Sequence, residues 1–233
     1  MRPRTLDHVA LWVADRDPIV DFVTTHLGMH VVERTDKFTL VGSDARRGKL
    51  TLFLAEGPRE RGALKHVAFR VSDLRSAMGE LPEQLALEQP RAGEVYFDVS
   101  EGLRLGLVEG RTDVDYDLDH TALFSRDPTD TARAYERLGF RYAPPGPSEQ
   151  PRVEVGGAFV EFHPGEPGRP ERPLLNHLAV LVDSADEHIA EAEDLGVEID
   201  DVVDAPNTYA VFLWGPERVR IEYVEHKATF SLT

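Results

Sequence analysis

The sequence predicts an α+β protein made of four copies of one strand–helix–strand–strand–strand unit, and three observations carry that prediction. The first is self-similarity: LDHVALWV at 6–13, LKHVAFRV at 64–71, LDHTALFS at 118–125 and LNHLAVLV at 175–182 share a leucine, one polar residue, a histidine and an apolar run. Their histidines, His8, His66, His120 and His177, are separated by 58, 54 and 57 residues. A single histidine on an apolar strand is ordinarily a satisfied core residue, whereas four at near-constant spacing mark a repeat. The second observation is a helix pattern after these strands. Asp17-Pro18 and Asp127-Pro128 read as helix starts, where proline fits the first turn. Leu27-Gly28, Leu138-Gly139 and Leu195-Gly196 read as helix stops. The third is that every unit closes on strand-like pieces: KLTLFLAEG, LRLGLVEG, AFVEFHPG and VRIEYVEH.

Taken in order, unit one runs from its first strand through a helix ending at Leu27-Gly28. Unit two is the least regular, with its helix ending near Leu81-Pro82. Unit three repeats the plan of unit one, and unit four places its helix over Ala185–Asp194. The polar stretch EGRTDVDYD at 109–117 is read as the joint between two halves, 1–112 and 113–233. PGEPGRPERP at 164–173, rich in proline and glycine, is read as an exposed connection between units three and four.

Composition removes whole classes of function. The 233 residues suffice for a proper core. The formal net charge of −16 repels phosphate backbones and anionic membranes, so neither nucleic acid nor membrane is expected as a partner. The chain has no cysteine, which excludes disulfides, thiolate metal sites, iron–sulfur clusters and cysteine nucleophiles. Any metal must sit on histidine, carboxylate or water. The apolar run at the start is too short for a signal or membrane segment, and a cytoplasmic location is the default expectation.

The repeated unit resembles that of the vicinal oxygen chelate superfamily, the glyoxalase/bleomycin-resistance/dioxygenase family. In that family βαβββ units pair into cup-shaped open β-barrels with helices outside. Four units with an IEY motif near the end are similar to the extradiol, ring-cleaving dioxygenases. The resemblance implies a divalent metal, Fe(II) first and Mn, Zn, Ni or Co as alternatives, held by His120, His177 and Glu222 in the second half. It also implies a small aromatic diol or other chelating substrate, O2 as co-substrate, and a homodimer. Two histidines and a carboxylate on one face of a metal leave positions open for such chemistry. In the first half, His8 and His66 face Phe53 or Leu54 and Gly106 where a carboxylate is required, so they read as structural relics and the half as non-catalytic.

The sequence departs from the dioxygenase pattern at Phe212, which stands where a tyrosine is expected, and Tyr209 falls on the opposite strand face. Glu161 and His163 are the candidate catalytic residues. Glu161 occupies in unit three the position of Glu222 in unit four, and His163 shares its face as a proton carrier. His120, Glu161, His177 and Glu222 together are similar to the four-ligand set of glyoxalase I, giving a lyase or isomerase as the alternative. A metal-free binding protein of the antibiotic-sequestering kind is the other. His26, His30, His188 and His226 are expected at the surface, and Arg220, on the face of Glu222, can meet an anionic group.

Overall fold

A computed structural model describes residues 1–168 and 170–231. Unit one comprises β1 (Thr5–Val13), α1 (Asp17–His26), β2 (His30–Arg34), β3 (Phe38–Asp44) and β4 (Arg47–Leu54). Unit two comprises β5 (Leu64–Val71), α2 (Leu74–Gly79), β6 (Glu94–Asp98) and β7 (Arg104–Glu109), one strand fewer than the others. Unit three has β8 (Asp117–Ser125), α3 (Pro128–Glu136), β9 (Arg141–Ala143), β10 (Arg152–Val155) and β11 (Ala158–Pro164). Unit four has β12 (Leu175–Val182), α4 (Ala185–Leu195), β13 (Ile199–Asp204), β14 (Thr208–Trp214) and β15 (Arg220–His226). The helix ends have local causes. Asp73, Asp127 and Ser184 each accept a backbone N–H of the first turn, and Gly196 closes α4 in the left-handed conformation at φ 63°.

The units do not pair in chain order. One open sheet runs β13-β14-β15-β12-β1-β4-β3-β2 and the other β6-β7-β5-β8-β11-β10-β9. Unit one therefore joins unit four, and unit two joins unit three. The expected halves 1–112 and 113–233 are corrected accordingly, since that division cuts both sheets. Self-similar units carry no label saying which copy each first strand will meet, which is why the sequence does not reveal the pairing. Each sheet is built as a cup. An antiparallel seam, β1 with β12 or β5 with β8, is flanked by parallel partners, β4 and β15 or β7 and β11.

One face of these strands feeds a continuous core. Val9, Leu11 and Val13 of β1, Val67 and Phe69 of β5, and Leu178 and Val180 of β12 are all buried there with Ile19 and Val23 of α1. Alternation leaves His8, Ala10 and Trp12 of β1 for the opposite face, the interior of the cup. The seam registers then explain the recurring leucine–polar–histidine triplet. Pairing skips Asp7 between Leu6 and His8, and Asn176 between Leu175 and His177. It skips Lys65 between Leu64 and His66, and Asp119 between Leu118 and His120. Each of these four histidines is thus preceded by a one-residue β-bulge, a device that re-aims side chains beside sites.

Candidate metal centre

In the first cup the seam brings His8 and His177 face to face, and β15 adds Glu222. The Nε2 atoms of His8 and His177 are 3.1 Å apart. Glu222 Oε2 lies 3.2 Å from His8 Nε2 and 3.0 Å from His177 Nε2. Metal–ligand bonds of about 2.1 Å at right angles separate donor atoms by about 3 Å, so this near-equilateral triangle has the dimensions of one face of a coordination sphere.

The tautomers fit as well. His8 Nδ1 is 2.7 Å from Asp7 Oδ1, and His177 Nδ1 is 3.0 Å from Asn176 Oδ1. Each bulged residue thus accepts the Nδ1 proton and leaves Nε2 as the nitrogen facing the carboxylate, the arrangement that orients metal-binding imidazoles. Glu222 Oε2 is buried and faces both imidazoles. Two imidazole nitrogens and a buried carboxylate oxygen, all within 3.2 Å of one another, form a donor set that fits a divalent metal.

Charge in this cup is strongly organised. Burial disfavours the charged form of Glu222, yet the imidazoles of His177 and His8 hold its carboxyl well below the usual range. Burial likewise works against charge on His8, but hydrogen bonds to Asp7 and Glu222 and their negative charges push it up to about 9. His177 is shifted down, chiefly by burial, against the pull of Glu222. Behind His8, Asp7 is buried and meets Lys49 Nζ at 2.9 Å and His226 Nε2 at 3.2 Å. His226 in turn stacks on Phe230 at 4.0 Å.

The register fixes a fourth position. Glu222 pairs with Ala179, two residues beyond His177, and the equivalent partner of Ala10, two beyond His8, is Thr51. Thr51 is buried and brings no carboxylate. Phe212 pairs with Glu222 and sets its ring 5.1 Å from that of His177, while Phe53 stands 6.1 Å away on another side. Leu175 and Arg220, one step before His177 and Glu222 on the same faces, line a cavity of about 440 Å³ together with Trp12, Trp214, Pro170 and Pro173. Arg220 lies over the Phe212 ring at 3.9 Å and binds Asp200 at 2.6 Å, and its buried Nε has no partner.

These positions correct several expectations. His177 and Glu222 do come together, but their third partner is His8, not His120. His120 lies in the second cup with its Nε2 atom 2.9 Å from that of His66. Glu161 and His163 are there too, so neither reaches Glu222, and the four-ligand set His120–Glu161–His177–Glu222 is not assembled. Chain order groups His8 with unit two, which is why sequence reasoning misses it. The signal is present in the Asp7-His8 dipeptide, which offers an Nδ1 acceptor. His226 and His188 are not surface residues. The first is bound to Asp7, and the second is 4% exposed, with its Nδ1 2.7 Å from Ser184 O and its Nε2 accepting from Arg2 N–H. His30 is exposed and His26 half-buried.

Residues 5–84 match the model of the Glyoxalase/Bleomycin resistance protein/Dioxygenase superfamily. Among solved structures, a putative dioxygenase from Bacillus subtilis subsp. subtilis str. 168 is similar at a TM-score of 0.80 and 17% identity, over 98% of this chain and 87% of its own. Glyoxalase I from Zea mays is similar at a TM-score of 0.72 and 14% identity, over 95% and 92%. The cppA protein from Streptococcus pneumoniae TIGR4 is similar at 0.61 and 14%, over 96% and 98%. At such identities the likeness is one of fold. No curated protein sequence matches the chain. Among the described residues no helix is long and apolar enough to cross a membrane.

Proposed function

We propose that the chain is a metal-dependent enzyme of the extradiol dioxygenase type, acting in the first cup on a small aromatic diol or another chelating substrate. The observation that carries this reading is a three-ligand set, His8, His177 and Glu222, with Thr51 where a fourth carboxylate would stand. Three protein ligands on one face leave room for a bidentate substrate and O2, whereas a four-ligand lyase site needs the second carboxylate. Fe(II) is the metal the reading favours, with Mn(II) next.

The bound metal would supply a Lewis-acidic, redox-capable meeting point for substrate and O2. The chain's own groups do the rest. Asp7 and Asn176 fix the two imidazoles, and Phe212 and Phe53 keep water from the flank of His177. Trp12, Trp214 and Leu175 offer apolar walls for a ring, and the unpaired Arg220 N–H is placed to bind an oxyanion of the substrate. The test is anaerobic loading with Fe(II), then oxygen uptake with a panel of catechols, for the wild type and Glu222→Ala. Uptake with one catechol that vanishes in Glu222→Ala supports the reading. Tight Fe(II) binding with no uptake on any diol would remove it.

A further inference from the structure

Three of the four bulges carry an acceptor, Asp7, Asp119 and Asn176, each turned to the Nδ1 of the histidine that follows it. The fourth carries Lys65, whose ammonium can only donate. It reaches past β8 instead and meets His163 of β11, with Nζ 2.9 Å from Nδ1. Nδ1 is therefore the accepting nitrogen, and the proton of the neutral ring sits on Nε2, 3.5 Å from Glu161 Oε2. Glu161 is 4% exposed and has Arg152 4.0 Å from its other oxygen. An amine, an imidazole facing it and a buried carboxylate behind the imidazole are, in that order, the nucleophile, base and orienting group of covalent catalysis.

The surroundings favour a reactive amine. Lys65 is half-buried. Burial shifts its ammonium below the ordinary lysine range against the pull of Glu161, and the charges of Arg104 and Arg91 add to the shift. Loss of the proton leaves the lone pair a nucleophile needs, and lysine, unlike arginine, can give that proton up. Among the described residues no other lysine shares this setting. Lys37 is exposed, Lys49 is held by Asp7 and Lys227 by Asp204. At the register position of Thr51 this cup has Gly106, opposite Ala68, and a Cβ there would come within 2.5 Å of the Tyr96 ring. That corner is closed, so chemistry in this cup falls to the Lys65 side.

We propose that Lys65 is a nucleophilic amine that captures small aldehydes as an imine, with His163 as its proton carrier and Glu161 as the residue that positions His163. The free amine adds to the carbonyl carbon to form the C–N bond, and a proton passes from nitrogen through His163 to the carbonyl oxygen. The second N–H proton follows as that hydroxyl departs as water and the C=N bond closes. One aldehyde is consumed and one water released, and nothing is oxidised or reduced. The step is independent of the metal and of the reaction assigned to the first cup.

The test treats the whole chain with propionaldehyde, traps the imine with sodium cyanoborohydride and follows alkylation of each lysine by peptide mass spectrometry. Circular dichroism monitors folding, and exposed Lys37 is the internal standard. At pH of about 7.5, Lys65 is expected to react at least about tenfold faster than Lys37. His163→Asn is expected to slow Lys65 by about tenfold or more and to leave Lys37 unchanged, since a positioned proton carrier contributes at least that much. Glu161→Gln is expected to lower the maximal rate at Lys65 and to move its rate–pH curve to lower pH, because the carboxylate no longer helps to hold the ammonium proton. A Lys65 no faster than Lys37 in the wild type would overturn the proposal, as would an unchanged Lys65 rate in folded His163→Asn. A Glu161→Gln curve unmoved along the pH axis would overturn the part given to Glu161.

Discussion

In the first cup both imidazoles rest on an acceptor from the residue before them, Asp7 and Asn176. In the second only His120 does, because Lys65 precedes His66. The frames are the same: an antiparallel seam, a bulge before each histidine, and a carboxylate on the closing strand two residues out of step with a histidine. The difference shows that a sheet delivers side chains to a place, while the residues flanking them decide whether they behave as ligands. Glu222 is left facing two imidazoles; Glu161 is drawn to His163 and Arg152.

The largest expected effect separates the two carboxylates. Glu222→Ala should weaken metal binding in the first cup by at least about 100-fold, beyond the loss typical of outer partners. Glu161→Ala should leave that affinity within about twofold of wild type, a margin of less than about 0.5 kcal/mol. Calorimetric titration with Mn(II) or Co(II) decides it, and equal losses would mean that the cups are coupled.

Next is Asp7→Asn. It removes the charge that orients His8 and strands Lys49, whose side chain is 3% exposed. Breaking a buried pair costs about 3–5 kcal/mol, so denaturant melts should show a clear loss alongside a metal affinity about 10–100-fold weaker. Asp119→Asn in the second cup should cost less, because its partner Arg70 is 19% exposed.

pH offers a third contrast. In the metal-free protein His8 is raised to about 9, so its contribution to stability is fully present below pH of about 6.5 and is lost as pH rises through about 9. A metal must displace that proton, so affinity in the first cup should climb between pH of about 7 and 9 and then level off. His66 is shifted well below the ordinary imidazole range, first by burial and then by the charge of His120, so it holds no comparable proton to lose. Proton release measured during titration at the two ends of that range is the check.

The smallest effect concerns the vacant register corners. Gly106→Ala should cost about 1–3 kcal/mol, because the new methyl overlaps Tyr96. Thr51→Ala should cost about 1 kcal/mol or less. Thermal melts of the two variants suffice.

Much of the architecture is legible in the sequence, for identifiable reasons. The repeat, the helix stops and the closing strands arise from patterns of a few residues, so four units and their His-bearing strands can be read directly. His177 and Glu222 are legible because both lie in one unit, within reach of local pattern. Their third partner is not: His8 and His120 stand in near-identical contexts, LDHVA and LDHTA, and only long-range strand pairing distinguishes them. The polar residue before each histidine is visible in the sequence only as a recurring letter. It becomes a bulge, and in three units a tautomer-setting acceptor, only once the seams give it a partner strand. His226 looks peripheral because its partner, Asp7, is at the other end of the chain.

Pairing unit one with unit four has a consequence for how the molecule comes into being. The β5–β8 seam joins neighbouring units, and its sheet can close once unit three has left the ribosome. β1 must wait for β12, far down the chain, with its edge unsatisfied in the meantime. Contacts of such long sequence separation form slowly, and a waiting edge is open to wrong partners. The cup that holds His8, His177 and Glu222 is therefore the one assembled last, and a divalent ion captured by these three residues would lock the first and last units together.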